Sequence, residues 1–504
     1  MIVSKVVRCF DDYKKELVYL SVLSFLFVCI VRYFSAAGEC LYDTVEHIYA
    51  SWLISEGKLP YKDFFEHHNP LFWYLFSPVA KFFYRNINVL YMARAIALIG
   101  HFVCMFIVYK LALLVYDKRS AVFSLLCLFA LPMWKDILTF RPDIFMCLFY
   151  IMAIYWNIKY LKKQRLAYLV LAYCSLVVSF AFLQKIAFLG VGFVLGNIYF
   201  VIKKKVQMKD FFIAGFSALA LLLLMVAFLW YKGILADWWY CNFEFNMLMK
   251  SYYGNYTSGV PYFLKPITLL VGIGVIRYFK YDDDILLVMI SWVFAAISLI
   301  MFFPHVQYIY MYMYLAVIIL GRKCANTEKN ALLYIIMTFF IFLNLLSIYP
   351  KEYQKNSAAK YVNTIRYVLD NGSPEDKVVM LNNLNFNLYQ PLVDYHWLGV
   401  GNVVIVDLLN RDDKSFDLNK FIKEKKPKFL FGSELWNIID THSKWYFSFF
   451  HGRNFLIWQR AAKNPEYRSK IVKRDVDFWK IDEDYIEKNY RKVNNFDLWQ
   501  RIKE

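Results

Sequence analysis

Apolar residues come in long, nearly unbroken runs as far as about residue 350, and in short alternating patches after it. The runs are roughly 18–22 residues long, enough as helix to cross a hydrocarbon core of about 30 Å. A bilayer offers the backbone no hydrogen-bond partners, so each run is expected to be helical, whereas barrel strands would be shorter and would alternate. The pattern predicts about eleven transmembrane helices, near 17–35, 89–111, 120–134, 143–160, 166–183, 186–203, 211–231, 263–280, 284–303, 307–321 and 330–348. The first run is too long for the core of a cleaved signal, although Ala36, Ala37 and Gly38 follow it, so it is expected to be retained. The expected fold class is a polytopic α-helical membrane protein with a C-terminal α/β soluble domain.

Two domains follow from this change of pattern. Residues 1–349 form the membrane domain, with a first outer loop at 36–88, and 350–504 form the soluble domain. Within the latter, 377–381, 401–407, 428–432 and 455–459 read as strands, and 358–371 and 416–424 as helices. Two amphipathic helices are expected in the first outer loop, at 43–57 and 70–84. The second carries Trp73, Tyr74, Phe76, Phe82 and Phe83, residues suited to the membrane interface.

Charge changes the picture only in orienting it. The chain has 58 Lys and Arg against 40 Asp and Glu, a formal net charge of +18. Most of this excess sits in short loops between apolar runs, so a nucleic-acid partner is rejected in favour of the positive-inside rule. Lys5, Arg8, Lys14, Lys15, Lys118, Arg119, Lys159, Lys162, Lys163, Arg165, Lys203, Lys204, Lys205, Arg277, Lys280, Arg322 and Lys323 then all face the cytoplasm. An odd number of crossings leaves the C-terminal domain outside. The nine cysteines include no C-x-x-C pair, which excludes a zinc ribbon or a redox motif. Cys40 and Cys241 fall in outer loops, where a disulfide between them stays open.

Candidate chemistry concentrates on the outer side. Asp43 precedes an amphipathic stretch and, taken alone, reads as a helix N-cap as readily as a catalytic group. Arg94 lies one or two turns into an apolar run, where a charge is costly and is paired, functional or snorkelling. Arg141, Lys185 and His305 sit in short outer turns, and Asp143 closes the turn that Arg141 opens. Glu46 and Asp63 are further acids of the first loop. His67 and His68, beside Glu66 and Asp63, are weak metal candidates, because adjacent side chains point in different directions on most backbones.

The first outer loop contains Asp43, then Gly57, Pro60, Tyr61 and Asp63, then Pro70 and Leu71. In this order the loop resembles the C-type fold membrane glycosyltransferases, which include bacterial aminoarabinose transferases and protein O-mannosyltransferases. The resemblance implies that Asp43 is the catalytic carboxylate, supported by Glu46, Asp63 and Asp143. It implies that Arg94, Arg141, Lys185 and His305 hold the phosphate of a polyprenyl-phosphate sugar donor. The acceptor would be lipid A, lipopolysaccharide, another glycan or a protein, reached at the outer face of a bacterial inner membrane. No cofactor is required by this chemistry, and membrane lipids are the remaining partner. One departure concerns Thr44, since relatives often carry two adjacent acids where this chain has Asp43-Thr44. An inactive relative therefore remains an alternative. A transporter or flippase of lipid-linked sugars is another, but its polar residues would lie near the bilayer midplane.

Overall fold

The computed structural model describes residues 14–34, 41–130, 137–247, 266–277, 283–301, 307–324, 338, 339, 341, 363–376, 378–380, 418–431, 482–493, 496 and 498–502. In chain order the helices are α1 (Lys14–Phe34), α2 (Leu41–Ser55), α3 (Leu71–Phe82), α4 (Val89–Val115), α5 (Lys118–Ala130), α6 (Pro142–Lys163), α7 (Leu166–Phe182), α8 (Ile186–Ile202), α9 (Met208–Tyr231), α10 (Leu235–Trp239), α11 (Pro266–Arg277), α12 (Asp283–Met301) and α13 (Gln307–Cys324). Then come α14 (363–371), β1 (Val378–Met380), α15 (Leu418–Lys425), β2 (Phe429–Phe431), α16 (Glu483–Asn489), β3 (Tyr490–Lys492) and β4 (Leu498–Arg501).

Every expected span except the last coincides with one of these helices, and 330–348 lies almost wholly outside the described residues. Among the described residues, three helices are long and apolar enough to cross a membrane: Val89–Val115, Pro142–Lys163 and Met208–Tyr231. The other apolar helices are shorter, at Val18–Ile30, Leu166–Phe182, Ile186–Ile202, Ile285–Leu299 and Ile309–Gly321. The protein is an integral membrane protein built of helices. Capping chemistry, not apolar content, sets some of the ends. Helix α5 starts before its apolar run because the Asp117 carboxylate accepts the Ser120 N–H at 2.7 Å. Helix α6 stops where Gln164 turns left-handed (φ 51°), and α7 starts two residues later.

The chain divides into two compact units. The first comprises Met1–Ser35, Ala93–Leu229 and Ser258–Lys351, and the second Ala36–Met92, Trp230–Thr257 and Glu352–Glu504. In the first unit α13 is the central element, packed on α5, α6, α11 and α12. Its residues from Ile309 to Ile319 are all buried. Lipid tails are as apolar as leucine, so helices here associate through close packing and interhelical hydrogen bonds. Ser124 donates to the Val317 carbonyl (3.0 Å), Tyr150 to Ser291 (2.9 Å) and Asn157 to Asn197 (2.6 Å). Gly192 and Gly196 let α8 approach α12. A Cβ at either position would come within 2.7 Å of Phe294 or Leu287 respectively. Helix α9 leaves Phe212, Phe216, Leu219, Leu223, Leu224 and Phe228 exposed, as a lipid-facing helix does.

The second unit holds the two amphipathic helices of the first outer loop, the segment after α9, and a four-stranded sheet in the order β1-β2-β4-β3. Strands β1 and β2 run parallel, with Val378 opposite Phe429, while β4 lies antiparallel to both β2 and β3. The patches at 377–381 and 428–432 thus contain strands, and 358–371 and 416–424 contain helices. The expected strands 401–407 and 455–459 lie outside the described residues. Strands β3 and β4 escape a reading by alternation because they are short and rich in Arg, Lys and Gln.

Candidate active site

The first outer loop is shaped by backbone chemistry that its sequence carries. Helix α2 ends in a paired-bond stop: the Lys58 N–H reaches the Leu53 carbonyl and the Gly57 N–H the Ile54 carbonyl, both at 3.0 Å. Such an ending needs a left-handed residue, and Gly57 supplies it at φ 82°. The turn after it closes on Asp63. Its carboxylate accepts the Leu59 N–H at 2.7 Å, and its own N–H donates to the Leu59 carbonyl at 2.8 Å. Tyr61 is buried in a left-handed conformation (φ 69°), its hydroxyl donating to the His68 carbonyl at 2.6 Å. Burial pushes the Tyr61 hydroxyl well above its ordinary range, against an opposing hydrogen bond with Asn242. Helix α3 then starts after Pro70. It tolerates Pro78 because the Ser77 hydroxyl donates to the Tyr74 carbonyl, which no Pro78 N–H can reach.

Above this frame lies a cluster of imidazoles whose proton positions follow from their partners. The Trp73 indole, a donor only, gives its hydrogen bond to His47 Nδ1 (3.1 Å), so the neutral ring carries its proton on Nε2. His68 Nδ1 lies 3.1 Å from the Glu66 carboxylate, an acceptor. The same carboxylate oxygen accepts the His67 N–H at 3.2 Å. The Asn246 amide donates to the carbonyls of Asn242 (2.8 Å) and His67 (3.3 Å), which turns its Oδ1 toward His67 Nδ1 at 3.0 Å. That His67 nitrogen must carry a proton. Trp238 Nε1 donates to Asn69 Oδ1 at 2.7 Å. Asn242 lies within the π-helical turn Tyr240–Glu244, and Asn246 follows just after it. Among the described residues no three His, Cys, Asp or Glu side chains gather as a metal-binding group.

The acids named from sequence are placed unevenly. Asp43 is the third residue of α2, so it stands inside the first turn and not at the N-cap. Its side chain is outside the described residues, as are His305 and Cys40. Glu46 is half-buried on the same helix. Cys241 is buried.

In the first unit three of the named residues meet. Asp143, buried in the first turn of α6, is gripped by Arg141 Nε on one oxygen and Lys185 Nζ on the other, each at 3.1 Å. The chain presents them through local structure. Arg141 is extended ahead of Pro142, the first residue of α6, and Lys185 is the N-cap of α8. Both cations retain some exposure. Arg94 is buried, and its Nη1 donates to the Tyr33 carbonyl at 3.0 Å, in the last turn of α1. A cation there answers the negative end of that helix.

Two solved structures share the architecture. One is ArnT from Cupriavidus metallidurans bound to undecaprenyl phosphate, with 13% identity and a TM-score of 0.57 over 84% of this chain and 94% of the other. The same enzyme in the apo state gives 11% identity and a TM-score of 0.52 over 84% and 95%. The fold is that of the C-type membrane glycosyltransferases. A family model for dolichyl-phosphate-mannose-protein mannosyltransferases matches residues 67–230. This stretch contains Arg94, Arg141, Asp143 and Lys185, together with Pro70 and Leu71 of the loop pattern. Asp43 and the segment from Gly57 to Asp63 precede it. No curated protein matches the sequence.

Within this C-type fold, sequence reading missed His47, Trp73, Asn69, Trp238, Asn242 and Asn246 as parts of one polar cluster. A signal existed for His47 alone, four residues after Asp43 and so on the same helical face. The others come from segments more than 150 residues apart, as the Asn69–Trp238 bond shows, and no local pattern joins them.

Proposed function

We propose that this protein is a glycosyltransferase that moves a sugar from a polyprenyl-phosphate donor to an acceptor of the cell envelope. The acceptor is lipid A, lipopolysaccharide, another glycan or a protein, and transfer takes place on the outer face of the membrane. The observation that carries this reading is the likeness of fold over nearly the whole length of ArnT, whose structure holds undecaprenyl phosphate. In this mechanism an acceptor hydroxyl or amine attacks the anomeric carbon as the bond from that carbon to the phosphate oxygen breaks. The configuration inverts. Asp43 takes the acceptor's proton, a step that contributes typically about 10²–10⁴-fold. The departing lipid phosphate keeps its charge, and Arg94, Arg141, Lys185 and His305 are assigned to hold it, Arg as a fork and Lys as a point charge. Asp143 orients Arg141 and Lys185, while Glu46 and Asp63 support the loop. The reaction asks for no metal, and a divalent cation at His67 and His68 is the lesser alternative.

The topology belongs to the same proposal, with about eleven crossings, the N-terminus in the cytoplasm and the C-terminal domain outside a bacterial inner membrane. The second unit supports it, since the three longest segments expected outside, the first outer loop, the loop after α9 and the C-terminal domain, gather there. The hydrogen bonds from Lys162 to the Leu114 carbonyl and from Gln164 to the Lys205 carbonyl support it too, tying expected cytoplasmic turns together. The test is sugar transfer in membranes supplied with labelled polyprenyl-phosphate sugars, wild type against Asp43→Asn. A loss of about 10²-fold or more is expected. Equal transfer by both would remove Asp43 from the mechanism.

A further inference from the structure

Arg85 follows α3 in a conformation that disfavours any residue with a side chain (φ 53°). Its guanidinium Nη2 donates to the Leu369 carbonyl at 2.7 Å and to the Gly372 carbonyl at 2.6 Å. Leu369 lies in the last turn of α14, and Gly372 is the residue just past its end. The last carbonyls of a helix lack intrahelical partners, and they form the negative end of its dipole. Arg85 therefore caps, from the first outer loop, a helix that lies almost 300 residues further along the chain.

Side-chain contacts continue from this cap on both sides. Toward the loop, Tyr84 stacks on Trp52 of α2, with ring centroids 6.2 Å apart and planes 15° from parallel. Toward the C-terminal domain, Tyr367 of α14 donates to Gln500 of β4 at 2.9 Å and packs on Phe496 at 5.0 Å. Just past the helix, Asp376 accepts the Ser373 N–H at 2.6 Å and pairs with Lys428, beside β2, at 2.9 Å. A strained residue is retained where the surrounding structure over-determines it, and Arg85 joins the first outer loop to α14 within the second unit.

We propose that Arg85 is a positioning residue through which the C-terminal domain sets the placement of α2, the helix that carries Asp43. The C-terminal domain is then part of the catalytic apparatus without touching the reacting atoms. This inference rests on the proposed function for its effect on rate, but not for the mechanical coupling itself.

Hydrogen exchange of the full-length protein in lipid nanodiscs, resolved by peptide, separates the two. With Arg85→Met, exchange is expected to rise several-fold in 363–371 and also in Leu41–Ser55, while α6 and α7 stay protected. Arg85→Lys keeps the charge but not the planar fork, so it should give an intermediate rise, and it serves alone if the Met variant does not fold. Tyr84→Leu should loosen Leu41–Ser55 and leave 363–371 protected. Faster exchange confined to 363–371 in both Arg85 variants would overturn the proposal. In the transfer assay, Arg85→Met should lower kcat about tenfold with the donor KM unchanged. A wild-type protein that forms no glycosidic bond would defeat the proposed function, and the exchange result would still decide the coupling. A changed donor KM at constant kcat would place Arg85 in donor binding and overturn its positioning role.

Discussion

Removed from water, a carboxylate keeps its charge only where neighbours answer it, and Asp143 is answered twice. Arg141 and Lys185 each take one oxygen, and both are themselves partly open to solvent. Asp143→Asn would preserve the shape of the site and leave two cations facing each other over a neutral amide. Breaking a buried pair by removing one partner costs about 3–5 kcal/mol. Residual solvation of both cations reduces this, so the expected loss is about 2 kcal/mol, read as a lower thermal midpoint in detergent. An unchanged midpoint would mean that the cations do not depend on Asp143. Asp63 teaches a different lesson at the same scale. It belongs to the loop pattern that suggested catalysis, yet its exposed carboxylate closes the turn beginning at Leu59. Resemblance marks such a residue as important, and its hydrogen bond shows one way in which it is.

Among the elements, the contact of α8 with α12 is the most exacting. Side chains of Phe294 and Leu287 occupy the space where Gly192 and Gly196 have none. Gly196→Leu should push the helices apart at a cost of about 1–3 kcal/mol. The check is thermal unfolding beside Gly215→Leu, a control position on α9 with nothing within 4 Å. Equal effects of the two substitutions would refute close packing. The C-terminal sheet has its own pH signature. Burial raises the Asp376 carboxyl, but the bonds from Lys428 and the Ser373 N–H outweigh it and hold the group below its ordinary value. A depressed folded value means that its stabilisation is complete above the ordinary carboxyl range, near about 3.9, and is lost as pH falls through the folded value. Asp376→Asn should therefore speed exchange of β1 and β2 peptides at neutral pH. The gap from wild type should close on acidification, and a gap independent of pH would rule this pairing out.

For the whole molecule the decisive question is which side each segment faces. In a variant without native cysteines, Lys58→Cys should react with a membrane-impermeant maleimide on intact cells. Lys204→Cys should react only after permeabilisation. Both lysines are exposed, so labelling reports the side of the membrane. The reverse pattern would place the Asp43 loop in the cytoplasm and end the envelope assignment. This expected orientation comes from charge in short loops, which is counted along the chain and needs no tertiary information.

The same holds for the helices of the membrane unit and for the stop at Gly57, since hydrophobic run length and φ preference are properties of neighbouring residues. Strands β1 and β2 were also visible, as short apolar runs between polar segments. What the linear order withheld was everything made by convergence. His67 meets Asn246, Asn69 meets Trp238, and Arg85 meets the end of α14 only once the chain has folded. Periodicity reports which face of an element is apolar. The partner that a hydrogen bond or a charge finds across hundreds of residues is chosen by packing, and packing exists only in the folded molecule.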